Sequence, residues 1–284
     1  MKLSNNLDFI GPGVFYDCSH LTRIIITHHM TNIEANSFRN CKNLKSIILP
    51  DSLTSIREHA FYECENLIYI KLSDNLTSIG EYAFSNCSSL TIIQLPENVT
   101  SIERCTFSCC LNLTSTSIKL PDNLTTLGGR TFHKSENLTS ISLPESLTSI
   151  GEYAFDNCSS MTSLVIPQNI IAFKYSSFGY CKSLTRIKLQ KNLSSIGENA
   201  FCHCSNLASV KLPDGLKFIG KGSFSFCTNL TSVRLPDTLK SIRENAFSDC
   251  SNLTNIQLPD GLVSIGPGAF KKCSNLSIIK LSKF

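Results

Sequence analysis

The stretch that decides the fold is LPESLTSIGEYAFDNCSSMTSL, residues 143–164, because near-copies of it run along the whole chain. Aligned on their phenylalanine, the copies form twelve units with a step of 23 residues. Self-similarity at such a fixed period is typical of repeat architectures. The aligned residues are Phe15, Phe38, Phe61, Phe84, Phe107, Phe132, Phe155, Phe178, Phe201, Phe224, Phe247 and Phe270.

One unit reads L-P-D-x-L-T-S-I-G-E-x-A-F-x-x-C-S-N-L-T-S-I-x, and its positions are numbered 1 to 23 from the first Leu. No linker interrupts the period, so we predict a single domain over residues 1–284, built as an array of twelve units. One step is 25 residues long because residues 114–117 hold a two-residue insertion. We expect a bulged loop there, near the Gly128 and Gly129 pair and Ser135.

The segment Leu67 to Leu72 shows what one turn looks like. A short strand turns Ile70 and Leu72 inward and Tyr69 and Lys71 outward, because side chains alternate along a strand. Proline follows at position 2 in most units and marks the end of that strand. The segment around each phenylalanine is too short for more than about one helical turn. Stacked units therefore predict a right-handed, mainly β solenoid with a parallel concave sheet and short strand or turn segments on the convex side.

The chain resembles the BspA-like leucine-rich repeat family, which is found on surface proteins of bacteria and in large sets in protists. The resemblance rests on F-x-x-C-x-x-L-x-x-I-x-L-P runs, such as Phe247 to Pro259, and it covers nearly the whole chain. The chain departs from the commoner leucine-rich pattern, because its second leucine comes one residue after the Asn-favoured position. The resemblance implies a leucine-rich-repeat fold that serves binding and adhesion rather than catalysis.

Eleven of the fourteen cysteines occupy position 16, and Ser135 takes that position in the sixth unit. Stacked, in-register residues have parallel Cβ vectors about 4.8 Å apart, whereas a disulfide needs about 3.8 Å and facing vectors. A straight column of thiols also does not surround a metal ion. We therefore predict a buried ladder in which each thiol donates a weak hydrogen bond to a backbone carbonyl, with Ser135 as an equivalent donor.

Three cysteines, Cys105, Cys109 and Cys202, lie outside this ladder. The pairs Cys109 with Cys110 and Cys202 with Cys204 are weak signals for zinc or redox chemistry, since each contains a ladder member and lacks further ligands. The adjacent His28 and His29 are interpreted as loop residues. We predict no metal site, no cofactor and no catalytic residue, because no phosphate-binding loop or nucleophile motif is present.

The outward strand positions 21 and 23 hold eight basic residues and no acidic one, although the chain carries 22 acidic residues and a net charge of only +4. A binding strip on the concave face is one interpretation, and solubility of an exposed sheet is the other. A separate group of aliphatic residues, including Ile25, Ile48 and Ile92, forms a candidate apolar patch. The candidate binding residues are Arg186, Lys188, Lys211, Arg234, Lys71, Lys119 and Tyr69.

These features favour a non-catalytic module that binds a protein or an acidic glycan through the concave sheet, in cell-surface adhesion or in another partner interaction. Nucleic acid is disfavoured because the strip has one aromatic residue for base stacking, Tyr69. An intracellular scaffold is the alternative, since no signal peptide is visible and the thiols are unpaired; a segment of a longer repeat protein is another. No apolar run approaches the roughly 18 to 20 residues that a membrane-spanning helix needs. Uncapped ends predict self-association.

Overall fold

The computed structural model describes residues 1–4, 7, 9–26 and 29–281. Its contacts divide it into two compact units, Met1–Leu147 and Thr148–Phe284. Each unit is a stack of short parallel strands and turns, so the predicted β-solenoid class is confirmed. Over the described ranges the chain forms no helix and about eleven turns, close to the twelve expected. The single twelve-unit array and its self-association stay predictions.

Two series of strands run through each unit, one at the end of the repeated Leu-x-x-Ile segment and one a few residues after position 2, where most repeats have proline. In the first unit the first series is β1 (Arg23–Ile25), β3 (Ser46–Ile48), β5 (Tyr69–Ile70), β7 (Ile93–Gln94) and β9 (Ile118–Lys119). Its second series is β2 (Asn32–Ile33), β4 (Ser55–Ile56), β6 (Ser78–Ile79), β8 (Ser101–Ile102) and β10 (Thr126–Leu127).

The second unit repeats this arrangement. Its first series is β12 (Ser163–Val165), β13 (Arg186–Lys188), β15 (Ser209–Lys211), β17 (Ser232–Arg234), β19 (Asn255–Leu258) and β21 (Ile278–Leu281). Its second series is β11 (Ser149–Ile150), β14 (Ser195–Ile196), β16 (Phe218–Ile219), β18 (Ser241–Ile242) and β20 (Ser264–Ile265).

Strand pairing is parallel and joins equivalent positions of successive 23-residue repeats. Ile24 pairs with Ile47, and Val210 pairs with Val233, each 23 residues further along the chain. The first-series sheets run β1-β3-β5 and β7-β9 in the first unit, and β12-β13 and β15-β17-β19-β21 in the second. The repeat period therefore sets the register directly.

The phenylalanines form an offset-stacked column in the core of each unit. Neighbouring ring centroids lie 5.2 to 5.8 Å apart with planes within 15° of parallel. Interior members such as Phe61 and Phe201 have no exposed surface. Offset stacking of this kind adds to the free energy gained by burying the rings.

The cysteine ladder is also confirmed. Nine of the eleven ladder thiols donate to the carbonyl oxygen of the phenylalanine 26 residues earlier, as in Cys64 to Phe38 at 3.1 Å and Cys227 to Phe201 at 3.2 Å. The hydroxyl of Ser135 makes the equivalent bond to Phe107 at 3.2 Å. All fourteen cysteines are free thiols in the structure. A small donor that satisfies a buried carbonyl is thus what position 16 requires.

The turn around each phenylalanine contains two residues with positive φ, at positions 11 and 15 of every unit. This geometry turns alternate amides toward the next unit: Asn199 and His203 donate to the carbonyls of Lys221 and Ser225, both at 2.8 Å. Asn, Asp and Gly are frequent at these positions because they tolerate left-handed backbone. The positive φ is thus part of the stacking hydrogen bonds.

The two-residue insertion forms an extra turn, as expected. The Ser117 hydroxyl donates to the Thr114 carbonyl at 2.8 Å and accepts from the Thr114 amide at 2.6 Å. Ser117 occupies position 21, which the sequence predicts to point outward. That prediction is wrong here, because these bonds draw Ser117 into the turn and it is buried. In the following unit, residues 140–142 form no strand.

Candidate binding surface

The candidate site lies on the outward face of the first strand series, here called the outer strand face. Along β13, β15 and β17 the middle residues Ile187, Val210 and Val233 are buried, and the flanking residues are exposed. This alternation follows from the strand pleat and places the predicted residues on one side of the sheet. Because the structure divides into two compact units, each unit has its own set of candidate binding residues.

In the second unit Arg186 and Lys188 lie at the two ends of β13, Lys211 lies on β15 and Arg234 on β17. We call these four residues the basic strip. Lys211 and Arg234 are direct partners in the parallel ladder, and β13 lies beside β15. The structure thus brings these four residues together, as the repeat register predicts.

The charges of the basic strip have no acidic partner in the part of the chain that the structure describes. Among the described residues, none forms an ion pair with Arg186, Lys188, Lys211 or Arg234. Like charges about 5 Å apart repel by on the order of 1 kcal/mol in water. An anion bound along the strip would relieve that repulsion.

In the first unit Tyr69, Lys71 and Lys119 line one cavity of about 400 Å³ together with Asp74 and Glu97. Lys119 is not free, because its Nζ lies 3.4 Å from Oε1 of Glu97. The other oxygen of Glu97 accepts a hydrogen bond from the Asp122 amide at 2.9 Å. A carboxylate from the loop thus reaches the outer strand face, a contact that the outward positions alone did not reveal.

Large apolar side chains are also exposed on this face. Ile48, Tyr69 and Ile92 in the first unit are 45%, 47% and 47% exposed, so the predicted aliphatic patch is solvent-accessible there. Val165 of β12 is 55% exposed in the second unit. Exposed aliphatic groups beside unpaired cations suit a partner that has both apolar and acidic groups.

The cysteines outside the ladder are poorly suited to nucleophilic chemistry. Cys105 is buried, and Cys109 and Cys202 are partly buried. Burial, followed by the nearby Asp156 carboxylate, raises the pKa of the Cys202 thiol to about 11. The thiol is therefore protonated at neutral pH. In the part of the chain that the structure describes, no group of three His, Cys, Asp or Glu side chains is placed to hold a metal ion.

Sequence reasoning missed two surface columns of aromatic residues. The rings of Tyr180, His203 and Phe226, at position 15 of successive units, stack with centroids 4.4 and 4.3 Å apart. In the first unit the Arg39 guanidinium lies 5.6 Å from the ring of Tyr16 and 5.0 Å from the ring of Tyr62. The sequence contained the signal for both columns, because residues at the same position of neighbouring 23-residue repeats must stack.

Only one of the two predicted loop histidines lies in the described part of the chain. His28 lies outside the described residues, and His29 lies in a turn with its side chain exposed. Of the elements that the structure describes, none is a helix with the length and hydropathy to cross a membrane.

The family to which the sequence is similar agrees with the repeat geometry of the structure. A family model described as BspA type leucine rich repeat region (6 copies) matches residues 8–118, 114–214 and 194–284. No curated protein sequence matches the chain.

Three solved structures are similar to this one. A leucine rich cell surface protein from Faecalibacterium prausnitzii has a TM-score of 0.65 and 25% identity, over 100% of this chain and 87% of that chain. A leucine-rich repeat protein from Bacteroides ovatus has a TM-score of 0.60 and 25% identity, over 99% and 91% of the two chains. One from Eubacterium ventriosum, at TM-score 0.51 and 21% identity over 93% and 84%, supports the fold alone.

Proposed function

Because the chain belongs to the BspA-type leucine-rich repeat family, we propose that it is a non-catalytic binding module whose outer strand face holds an acidic partner. Proteins of this repeat class are protein-interaction modules, and their fold is typically non-enzymatic. Repeat arrays bind through extended surfaces built from equivalent positions of successive units. The proposal places binding on the basic strip, Arg186, Lys188, Lys211 and Arg234.

The observation that carries the proposal is the absence of acidic partners for these four exposed side chains among the described residues. Other exposed cations of the second unit do have such partners. Lys221 lies 3.0 Å from Glu244, and Lys272 lies 3.5 Å from Asp249. Lys174, Lys191 and Lys217 also form no ion pair among the described residues, so what distinguishes the basic strip is the alignment of its cations on neighbouring strands of one face. Such a row of free cations is the expected footprint of an anionic ligand.

The partner is an acidic protein surface or an acidic glycan, since both present carboxylate or sulfate groups in rows. Nucleic acid fits less well, because stacking of unpaired bases needs aromatic residues and the basic strip contains none. On the first unit, Lys71, Lys119 and Tyr69 form a separate candidate surface, on which Lys119 must first release Glu97.

We place this activity at a cell surface. One similar solved structure, from Faecalibacterium prausnitzii, is a leucine rich cell surface protein. The free thiols do not argue against such a location, because the ladder cysteines between Cys41 and Cys250 are buried. Buried thiols with raised pKa values are protected from oxidation whatever the compartment.

The test is binding of a fluorescein-labelled heparin fragment and of a labelled polyglutamate peptide to the wild-type protein across a salt gradient. The strip variant combines Lys188→Ser, Lys211→Ser and Arg234→Ser. Its matched control, Lys174→Ser, Lys191→Ser and Lys217→Ser, removes the same charge from exposed positions elsewhere in the same unit.

We expect the strip variant to bind at least about tenfold more weakly, since each exposed ionic contact contributes on the order of 0.5 to 1 kcal/mol. The control should stay within about threefold of wild type, because total charge alone gives only weak attraction. Preference for heparin or for polyglutamate identifies the partner class. Equal losses in both variants, or binding insensitive to salt, would remove the strip as the site.

A further inference from the structure

The first unit contains a second cavity, of about 600 Å³, between the residues before β1 and those after β5. Its apolar part is formed by Ile25, Ile48 and Tyr69, on strands that pair in the order β1-β3-β5. Ile48 and Tyr69 keep 45% and 47% of their surface exposed. We call this cavity the β1–β5 cavity. Its volume is in the range of sites that take a small ligand or a short peptide segment.

Three cations surround this apolar floor. Lys2, Arg23 and Lys71 line the β1–β5 cavity, and Asp51 is the one acidic residue in its lining. Across the described residues, no ion pair engages any of the three cations. The rim is therefore net positive, around a floor that gains free energy when an apolar group covers it.

The neighbouring cavity of about 400 Å³ provides an internal comparison. It also has exposed Ile92 and two lysines, but its lining includes both Asp74 and Glu97. Lys119 is paired there with Glu97. Two lysines thus face two carboxylates there. Lys71 lines both cavities, but Lys2 and Arg23 line only the β1–β5 cavity of this pair, so the excess positive charge that suits an acidic partner lies there.

We infer that the β1–β5 cavity is a docking site for a peptide segment in which an aliphatic or aromatic side chain is flanked by acidic residues. The apolar side chain would lie on Ile48 and Tyr69, and the flanking carboxylates would face Arg23, Lys71 and Lys2. A pure polyanion leaves the apolar floor uncovered. A single amphipathic carboxylate cannot neutralise cations on strands whose outer members lie about 10 Å apart.

This inference does not depend on the basic strip, which lies in the other compact unit. The probe is the fluorescein-labelled peptide Glu-Glu-Leu-Phe-Glu-Glu, followed by fluorescence anisotropy. Two control peptides replace the central pair by Gly-Ser or the glutamates by glutamines. A second competition series uses sodium laurate and an unlabelled heparin fragment.

Two protein variants test the site, and each has a control matched in residue type. Ile48→Ser removes the floor, and Lys2→Ser removes a rim cation that lines this cavity and not the neighbouring one. Ile92→Ser and Lys119→Ser make the same changes in the neighbouring cavity, where Ile92 is 47% exposed. All four positions are on the surface, so thermal unfolding checks that each variant folds. Ile48→Thr replaces Ile48→Ser if the latter does not.

We expect the acidic-apolar peptide to bind wild type at least about tenfold more tightly than either control peptide, as for a small anchored interface. Ile48→Ser and Lys2→Ser should each weaken it about tenfold, and the matched controls less than about threefold. The strip variant should leave it unchanged, whether or not that variant loses heparin. The inference is overturned by absent binding, by equal binding of the Gly-Ser peptide, by equal effects of Ile92→Ser, or by displacement with laurate or heparin alone.

Discussion

The Sγ atom of Cys204 donates a hydrogen bond to the carbonyl oxygen of Phe178, 26 residues earlier in the chain, at 3.2 Å. Both residues are fully buried, and the same bond recurs from unit to unit. The contact joins the two most regular features of the repeat, the phenylalanine column and the thiol ladder. The cysteine therefore serves as a small buried donor.

A serine should replace this cysteine at little cost, because Ser135 already occupies the equivalent place. We expect Cys204→Ser to lower the free energy of unfolding by less than about 1.5 kcal/mol, since the hydrogen bond is kept. Cys204→Leu should cost about 1 to 3 kcal/mol or more, because the column has no room for the extra atoms. Urea denaturation measures both. The reciprocal Ser135→Cys should be near neutral, and a large loss there would contradict equivalence.

Alkaline pH should destabilise the fold through the thiol ladder. Burial, followed by the neighbouring thiols, raises the pKa of Cys204 well above the ordinary value of 9.0, and burial raises the pKa of Cys41 to about 12. The unfolded thiols release their protons near pH 9, and the folded ones do not. The stabilisation is thus complete below pH 9 and is lost as the pH rises toward 12.

Urea midpoints measured between pH 7 and pH 11 test this dependence. Tyrosines and lysines also titrate in that range, so the informative comparison is wild type against Cys204→Ser. Serine does not ionise, and the variant should lose stability with pH less steeply than wild type. Parallel curves would mean that the Cys204 thiol does not contribute.

Much of this architecture follows from the 23-residue period. The period predicts which residues stack, so the phenylalanine column, the thiol ladder and the in-register cations Lys211 and Arg234 were all derivable. Strand alternation then separates Ile187 from its exposed neighbours. Each of these inferences needs only the residue that stacks directly above or below in the neighbouring repeat. A strict repeat identifies that residue from its position in the sequence.

Contacts between residues at different positions of the repeat were not derivable in the same way. Glu97 reaches Lys119 from the loop after β7, and Ser117 folds back on Thr114. Both depend on how a particular loop bends and on one side chain's reach. The positive φ at position 15 is similarly hidden where a residue other than Asn or Asp, such as Lys134 or Phe226, occupies that position. Backbone geometry set by the stack there overrides residue preference.

That strain at position 15 is measurable at Lys134, which is exposed and has φ of 58°. Lys134→Gly should leave the free energy of unfolding unchanged or raise it by up to about 1 kcal/mol, because glycine adopts this conformation freely. Lys134→Ile should lower it by about 1 to 2 kcal/mol, since a β-branched side chain is strongly disfavoured there. Denaturation in urea measures the difference. Equal stabilities of the two variants would contradict the assigned backbone.

The phenylalanine column should dominate stability, and two residues of the second unit make the comparison direct. Phe201 has no exposed surface and stacks on Phe178 and Phe224 at 5.4 and 5.3 Å, whereas Phe218 of β16 is 42% exposed. We expect Phe201→Ala to cost about 3 to 5 kcal/mol, because it removes a ring and leaves a cavity between two others.

Phe218→Ala removes the same atoms from a largely solvated position and should cost less than about 1 kcal/mol. Thermal and urea unfolding of both variants provide the measurement. Because each unit depends on its neighbours, the Phe201→Ala change should also broaden the transition, as the stack is interrupted at one turn. Similar losses from the two substitutions would show that the column does not hold the turns together.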